Sequence, residues 1–265
     1  MLLASTFVMA VNYDKVIISY LEKGFLKDKD VKNLDIKVIS KSPLLDKKSW
    51  SAYILSISGE NIRDNKSHKF SYRSLYFTDG SLVTPDLRNA ITDERYKETM
   101  SPKFEKDYYD DSFHIFGNKN AKHKIAIFSD PLCPYCIKYV PQVLKILKQK
   151  PNEYSVYYYH LPLLRMHPAS ETLIKASIVL ENSQKNYDVT KIYNIKISAR
   201  EKDNQKILDT FNKVMNSNIS LKDLKDTKVV KHYEKSLDIS KILMVNGTPS
   251  LFYDDKKDSI GRFLD

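Results

Sequence analysis

Hydrophobic positions in the first ninety residues follow first a helical and then a strand-like period. Apolar residues recur at helical spacing in residues 13–21, and Gly24 follows where a helix would end. Alternating apolar positions then predict strands over residues 34–38, 52–57, 70–76 and 82–83. The Asp79-Gly80 pair before the last of these is a hairpin signal. We therefore predict a small α+β domain over residues 11–90.

Residues 91–120 carry many charges and little periodicity. Pro102 and the acidic pair Asp110 and Asp111 interrupt the few apolar positions. This composition predicts a linker, with some helix in residues 92–100.

A buried strand is predicted where the periodicity returns. Residues 124–128 form a short apolar run suited to a central strand, and Ser129-Asp130-Pro131 breaks it. Apolar residues at helical spacing over residues 136–150 predict a helix directly after the break, and alternation over residues 153–161 predicts a second strand.

Three helical stretches then precede a last strand at residues 250–253. The first two cover residues 169–180 and 207–215, and the third runs from Ser220, its expected cap, toward Met244. The pattern predicts an α/β domain over residues 121–265 with a helical insertion at about residues 165–240.

Composition narrows the class of protein. The chain of 265 residues is 42% hydrophobic and 29% charged, with a net charge of +10 that is scattered along the sequence. Scattered lysines without a basic run or a groove-reading motif argue against a nucleic-acid partner. The first ten residues, MLLASTFVMA, are uncharged and resemble a signal-peptide remnant that is cleaved after Ala10. A cytosolic N-terminus is the alternative, because no Lys or Arg precedes Lys15.

The candidate chemistry lies in two cysteines. Cys133 and Cys136 are the only cysteines, and they stand three residues apart where the predicted strand gives way to a helix. Unpaired N–H groups and the dipole at a helix start favour thiolate over thiol. We predict that Cys133 is the nucleophile and that Cys136, one turn inside, resolves the mixed disulfide. Pro134 suits the first helical position, and Tyr135 is expected to tune the redox properties.

Other interpretations of the pair are weaker. A structural disulfide would close too short a loop to stabilise the fold much. None of the six histidines has ligand-like spacing to the cysteines, so we predict no metal and no cofactor. Asp130 is more readily a cap of the turn than a group that modulates the thiol.

The segment Phe128-Ser129-Asp130-Pro131-Leu132-Cys133-Pro134-Tyr135-Cys136 resembles the active site of the Dsb family, and is most similar to its periplasmic isomerases DsbC and DsbG. Further segments resemble the family's lead-in, helical entry and cis-proline loop: Gly117–Lys122, Leu161–Leu163, His167–Ala169 and Gly247–Pro249.

This resemblance implies a thioredoxin-like catalytic domain in which Pro249 carries a cis peptide and Thr248 meets the substrate backbone. The N-terminal part resembles the cystatin-like dimerisation domain of DsbC and DsbG, best over residues 76–80, which implies a homodimer. Ile127 stands where thioredoxins and DsbA oxidases have a buried acid, and this favours the isomerase branch. Few residues follow Tyr253, so we expect the last helix of the fold to be short or absent.

The expected function is that of a periplasmic disulfide isomerase or reductase. Its substrates would be unfolded or misoxidised proteins, and its redox partner a DsbD-like or DsbB-like membrane protein. A dimeric DsbA-like oxidase, a client-binding chaperone with incidental cysteines and a cytosolic glutaredoxin-like reductase are the alternatives.

Overall fold

The computed structural model describes residues 12–264, except residues 46, 48, 65, 184–186 and 259. The expected signal-peptide remnant, residues 1–10, lies outside this part. The chain divides into two compact units, Met1–Met100 and Ser101–Asp265.

The first unit is a helix and an antiparallel sheet. Helix α1 (Tyr13–Phe25) is followed by strands β1 (Val31–Pro43), β2 (Ser51–Arg63), β3 (Lys66–Thr78) and β4 (Val83–Thr84), and by the one-turn helix α2 (Tyr96–Thr99). The sheet order is β1-β2-β3-β4, with every pair antiparallel. The predicted helix and four strands are thus present. Helix α1 continues one residue past Gly24, the position where the sequence predicted its end.

One face of this sheet holds a hydrophobic core. Ile17 and Leu21 of α1 pack in one cluster with Tyr53, Leu55 and Ile57 of β2. Alternate residues of a strand share a face, so the period-2 pattern of β2 directs its large side chains to the helix.

The predicted linker is shorter than the sequence indicated. Strand β5 (His114–Gly117) lies within residues 91–120, and it pairs with a strand of the second unit. Phe104 and Phe113 are each 1% exposed and belong to that unit's core. The segment is held in the core by two aromatic residues that are far apart in the sequence and form no periodic pattern. For this reason the sequence did not predict that the segment belongs to the second unit.

The second unit is built on a mixed sheet. Its strands are β5, β6 (His123–Ser129), β7 (Tyr154–His160), β8 (Ser250–Tyr253) and β9 (Lys256–Asp258), in the order β5-β7-β6-β8-β9. Strands β6 and β7 are parallel, and the other pairs are antiparallel. The predicted central strand is confirmed: β6 buries Ile125 and Ile127 in one cluster and Ala126 and Phe128 in the other.

Helices cover both faces of this sheet. They are α3 (Pro134–Lys148), α4 (Ser170–Ser183), α5 (Asn204–Met215) and α6 (Thr227–Ile242), with a 3-10 helix at Val189–Asn194. Helix α3 packs with Ile125 and Ile127, and Ile239 of α6 packs on the opposite face. The predicted helical insertion is therefore present between β7 and β8.

The expected cap of the third helix was wrong. Ser220 hydrogen-bonds to Asp223 Oδ2 at the start of a short 3-10 helix, Asp223–Lys225. Helix α6 is capped instead by Asp226, which accepts from the N–H of Lys228 at 2.8 Å. The 3-10 helix Asp223–Lys225 lies between Ser220 and Asp226, and for this reason α6 begins later than predicted.

Strand β9 was not predicted from the sequence. Asp254 and Asp255 form the turn before it with positive φ of 44° and 71°, a conformation that Asp and Asn tolerate better than most residues other than glycine. The described residues that follow include one 3-10 helix, Ile260–Phe263. Among the described helices, none has the length and hydrophobicity needed to cross a membrane.

Candidate active site

The two cysteines lie at the start of α3, directly after the turn that follows β6. Cys133 is the N-cap residue of α3, with an extended backbone at φ −71° and ψ 123°, and Pro134 occupies the first turn. Proline fits there because its missing N–H would have had no partner in the helix. Cys136, one turn further, is 0% exposed, whereas Cys133 is 4% exposed. Both cysteines are free thiols.

Asp130 builds the turn that carries Cys133. Its carboxyl group is completely buried and accepts four hydrogen bonds. Oδ1 accepts from the N–H of Leu132 at 2.8 Å and from Ser170 Oγ at 2.6 Å. Oδ2 accepts from the N–H of Leu163 at 2.7 Å and from His167 Nδ1 at 2.9 Å. The capping role is therefore present, and the same group also fixes the loop after β7 and the start of α4.

The loop before β8 reaches the cysteines. The Thr248–Pro249 peptide bond is cis, as the resemblance implied. The Cys133 thiol donates a hydrogen bond to the Thr248 carbonyl oxygen at 3.3 Å. The fold thus brings Thr248 and Pro249 beside Cys133, across 115 residues of sequence.

The pKa of Cys133 is lowered to about 5. The largest cause is the hydrogen bond from the Cys136 thiol, and the N–H groups of Cys136 and Tyr135 add to it. Burial opposes these effects. A helix start supplies such unpaired N–H groups, so a sulfur at the N-cap position is stabilised as thiolate.

The pKa of Cys136 is shifted the opposite way. Burial raises it strongly, and the hydrogen bond to Cys133 raises it further because that bond uses the Cys136 proton. The pair therefore consists of one thiol that ionises below neutral pH and one that keeps its proton. Within the described residues, no group of three His, Cys, Asp or Glu side chains could hold a metal ion.

The Tyr135 side chain lies at the surface. It is 66% exposed, and its ring stacks with that of Tyr139 at a centroid distance of 6.5 Å. It therefore provides an exposed aromatic surface next to Cys133. The redox tuning expected of it stays a prediction.

The sequence analysis missed three hydroxyl groups beneath Cys136. The hydroxyl of Ser129, the last residue of β6, lowers the pKa of Cys136. Ser129 Oγ lies 2.6 Å from Tyr193 Oη, which in turn lies 2.6 Å from Tyr158 Oη. These residues are 35 and 64 positions apart in the chain, so no local sequence signal could have grouped them.

A mixed five-stranded sheet, a Cys-x-x-Cys pair at a helix start and a neighbouring cis-proline define a thioredoxin-like protein. The family model described as thioredoxin matches residues 109–259, more than half of the chain, and the chain belongs to that family. No functionally curated protein matches the sequence significantly.

Three solved structures illustrate the similarity. The catalytic domain of Proteus mirabilis ScsC is 24% identical, covers 57% of this chain and 82% of its own, and has a TM-score of 0.47. A thioredoxin-like oxidoreductase from Silicibacter pomeroyi is 20% identical, with coverages of 58% and 88% and a TM-score of 0.48. Oxidised BdbD from Bacillus subtilis is 15% identical, with coverages of 63% and 92% and a TM-score of 0.47.

Proposed function

We propose that this protein is a periplasmic thiol-disulfide oxidoreductase of the Dsb type, acting on disulfides of other proteins. The observation that carries the proposal is the contrast between two thiols in one helical turn. The pKa of Cys133 is about 5, whereas that of Cys136 is raised by burial. At neutral pH the first is a nucleophilic thiolate and the second keeps its proton, which suits a two-step disulfide exchange.

In the first step the Cys133 thiolate attacks one sulfur of a client disulfide. A Cys133–client disulfide forms, and the other client sulfur leaves as a thiolate. In the second step the Cys136 sulfur attacks that of Cys133, and the remaining client sulfur leaves and takes up a proton. The client is then reduced by two electrons and the cysteine pair is oxidised. When a client thiol attacks instead, the client disulfide is rearranged and the pair stays reduced.

Client binding is proposed at the surface around Cys133. Tyr135 is 66% exposed, and the loop that Asp130 holds against the cysteine motif carries Leu164 and Met166, which are 42% and 52% exposed. Apolar side chains of this kind suit partly unfolded clients. Pro249 has no N–H, so an extended client segment would pair with the backbone at Thr248.

The direction of the reaction has two candidates. Ile127 in β6 and the separate first unit support a DsbC-like or DsbG-like isomerase or reductase with a DsbD-like membrane partner. The low pKa of Cys133 supports a DsbA-like oxidase with a DsbB-like partner, because a stabilised thiolate stabilises the reduced form and makes the disulfide more oxidising. Trapping the thiols in cells separates them: a mostly reduced pair supports the isomerase, and a mostly oxidised pair supports the oxidase.

A homodimer through the first unit is part of this proposal. Strand β1 is at the edge of its sheet, is 13 residues long and carries Ile39 at 46% exposure. Long edge strands offer unpaired backbone groups to a second copy. Sedimentation of the full chain at several concentrations tests this: a monomer at all of them refutes the dimer.

Reactivation of scrambled ribonuclease tests the activity. We expect activity in the wild type, loss of activity in Cys133→Ala, and a stalled mixed disulfide on Cys133 in Cys136→Ala. Full activity in Cys133→Ala would contradict the proposal. Biological complementation by the Cys133→Ala/Cys136→Ala double variant would instead favour a chaperone with incidental cysteines.

A further inference from the structure

Three segments of the second unit build the surface around Cys133, and none of them contains an acidic residue. They are residues 131–152 with the cysteine motif and α3, residues 161–170 with the loop after β7, and residues 239–253 with the cis-proline loop. Asp and Glu make up 33 of the 265 residues of the chain, so such long stretches without them are unusual for this composition. The charge of this surface is therefore set by its basic residues.

Lys138 extends the aromatic surface next to the reactive cysteine. The Tyr135 ring stacks with that of Tyr139, and Lys138 Nζ lies 4.9 Å from the centroid of the Tyr139 ring. Lys138 is exposed and stands five residues after Cys133, about 7–8 Å further along the axis of α3. A lysine that lies over an aromatic ring keeps its charge at the surface, while its methylene groups cover apolar atoms.

Arg165 stands at the tip of an exposed turn in the loop after β7. The N–H of Met166 donates to the Leu163 carbonyl oxygen at 2.8 Å, which closes the turn around Leu164 and Arg165. Arg165 is exposed, and its apolar neighbours in the sequence, Leu164 and Met166, are 42% and 52% exposed. The turn therefore presents one cation together with apolar surface.

Asp130 fixes this turn to the cysteine motif. Its Oδ2 atom accepts from the N–H of Leu163 at 2.7 Å and from His167 Nδ1 at 2.9 Å, which lie on the two sides of the turn. Its Oδ1 atom accepts from the N–H of Leu132, the residue before Cys133, at 2.8 Å. One buried carboxylate thus ties the turn that carries the guanidinium group to the residue that precedes the reactive cysteine.

The acidic residues that border the three segments do not cancel these positive charges. Glu171 and Asp238 each form an ion pair with a lysine of their own helix, at 2.6 and 3.1 Å. Glu153 and Asp254 lie at the opposite end of the sheet, before β7 and after β8. Asp130 is buried and is taken by four donors. Among the described residues, the two cations of the surface have no carboxylate partner.

The cationic client surface consists of Tyr135, Lys138, Tyr139, Leu164, Arg165 and Met166. We propose that it selects clients whose disulfide is flanked by acidic residues, and that Lys138 and Arg165 determine this preference. The proposal rests on the proposed function and names its substrate class. In an extended client, carboxylates two or three positions from the cysteine lie about 7–10 Å from it, which matches the distance of Lys138 along α3. Opposite charges at such distances speed association.

A set of three peptide disulfides tests the preference. Each peptide carries one cysteine in a mixed disulfide with thionitrobenzoate, and the two residues on each side of that cysteine are Glu, Gln or Lys. The Cys133 thiolate attacks the peptide sulfur, a Cys133–peptide disulfide forms, and thionitrobenzoate leaves as a coloured thiolate. Stopped-flow absorbance gives the rate constant of this release for the reduced full chain.

Mercaptoethanol provides the chemical reference for these rates. Its thiolate is negatively charged like that of Cys133 but has no cations beside it. Dividing each protein rate by the mercaptoethanol rate with the same peptide therefore removes the effect of peptide charge on the exchange itself. Within each variant, the Gln peptide corrects for any change in the reactivity of the Cys133 thiolate, because such a change alters all three rates alike.

We expect the wild type to prefer the Glu peptide over the Lys peptide about tenfold at about 0.1 M salt, where screening acts over about 10 Å. At about 1 M salt the preference should fall to about twofold or less, because the screening length is then about 3 Å. Lys138→Gln and Arg165→Gln should each lower the preference about threefold, and the double variant should abolish it.

The matched control is Lys145→Gln. Lys145 is exposed and lies in the same helix, but it stands twelve residues after Cys133, about 18 Å along the helix axis. The substitution removes the same charge from the same helix at a distance beyond the screening length. It should therefore leave the preference for the Glu peptide at the wild-type value.

Equal corrected rates for the three peptides in the wild type would overturn the proposal, as would a preference that survives in the double variant or in high salt. Equal loss of the preference in Lys145→Gln would also overturn it, because the effect would then follow from the net charge of the protein. The proposed function fails on a different result: a wild type that releases thionitrobenzoate from all three peptides no faster than Cys133→Ala does.

Discussion

Replacing Asp130 by alanine removes the acceptor of four hydrogen bonds at the base of the cysteine motif. Two donors, Ser170 Oγ and His167 Nδ1, belong to side chains that can turn to other partners. The other two are the backbone N–H groups of Leu132 and Leu163, which cannot.

The expected cost follows from these two N–H groups. A buried donor left without an acceptor costs about 1–3 kcal/mol, so the loss of two acceptors in Asp130→Ala should destabilise the second unit by about 2–6 kcal/mol. Asp130→Asn should cost less, because the amide oxygen still accepts one backbone N–H while its NH₂ group faces the other. Each variant should also loosen the loop that carries Leu163.

Urea unfolding of the reduced protein measures the loss, followed by the helical circular dichroism signal that α3 to α6 dominate. The matched control is Asp203→Ala. Asp203 caps α5 and accepts the N–H groups of Gln205 and Lys206 at 2.9 and 3.1 Å, but this site is exposed. We expect the control to cost about 1 kcal/mol. An Asp130→Ala variant that loses no more than Asp203→Ala would refute the reasoning.

Three further predictions concern the cysteines and the backbone. Cys136→Ala removes the bond that lowers the pKa of Cys133 most, so the iodoacetamide labelling profile should move up by about one to two pH units, and an unmoved profile would contradict this. The pKa of Cys133 is about 5 in the folded protein and about 8.5 in the unfolded chain. The free energy of unfolding of the reduced wild type, measured in urea, should therefore rise relative to that of Cys133→Ser as the pH increases between those values. A difference between the two proteins that falls over this range would contradict the prediction. Gly117 has φ +94°, and an added Cβ would lie 2.0 Å from the Tyr154 carbonyl oxygen. Gly117→Ala should therefore lower the free energy of unfolding in urea by about 3 kcal/mol. The control Gly24→Ala should stay near the wild-type stability, because its Cβ would meet nothing within 4 Å.

The elements with strong periodicity were predictable from the sequence, and the polar ones were not. Strand β6 and helix α3 carry apolar residues at strand and helix spacing, and both were placed within two residues. Strand β9 consists of Lys256, Lys257 and Asp258, whose side chains carry no strand signal. It exists because the backbone of β8 pairs with it after a tight turn, a long-range effect that local patterns do not record.

The candidate site was likewise only partly predictable from the sequence. The spacing of Cys133 and Cys136 predicted the reacting thiols, and the resemblance of Gly247–Pro249 to the Dsb family implied the cis peptide bond that the structure has. Three of the four partners of Asp130 come from 33 to 40 residues away, and they depend on how the loop after β7 folds back. The local sequence predicts only that Asp130 caps its own turn. In the folded structure its carboxyl group joins that turn to the loop after β7 and to the start of α4.

The most direct measurement is site-resolved alkylation of the reduced wild-type protein. Brief exposure to iodoacetamide at a pH of about 6, followed by peptide mapping, reports which sulfur is a thiolate when free thiols are almost wholly protonated. Because the pKa of Cys133 is about 5 and that of buried Cys136 is raised, label should accumulate on Cys133 and spare Cys136. A Cys133 that reacts no faster than a free cysteine at that pH would contradict the account.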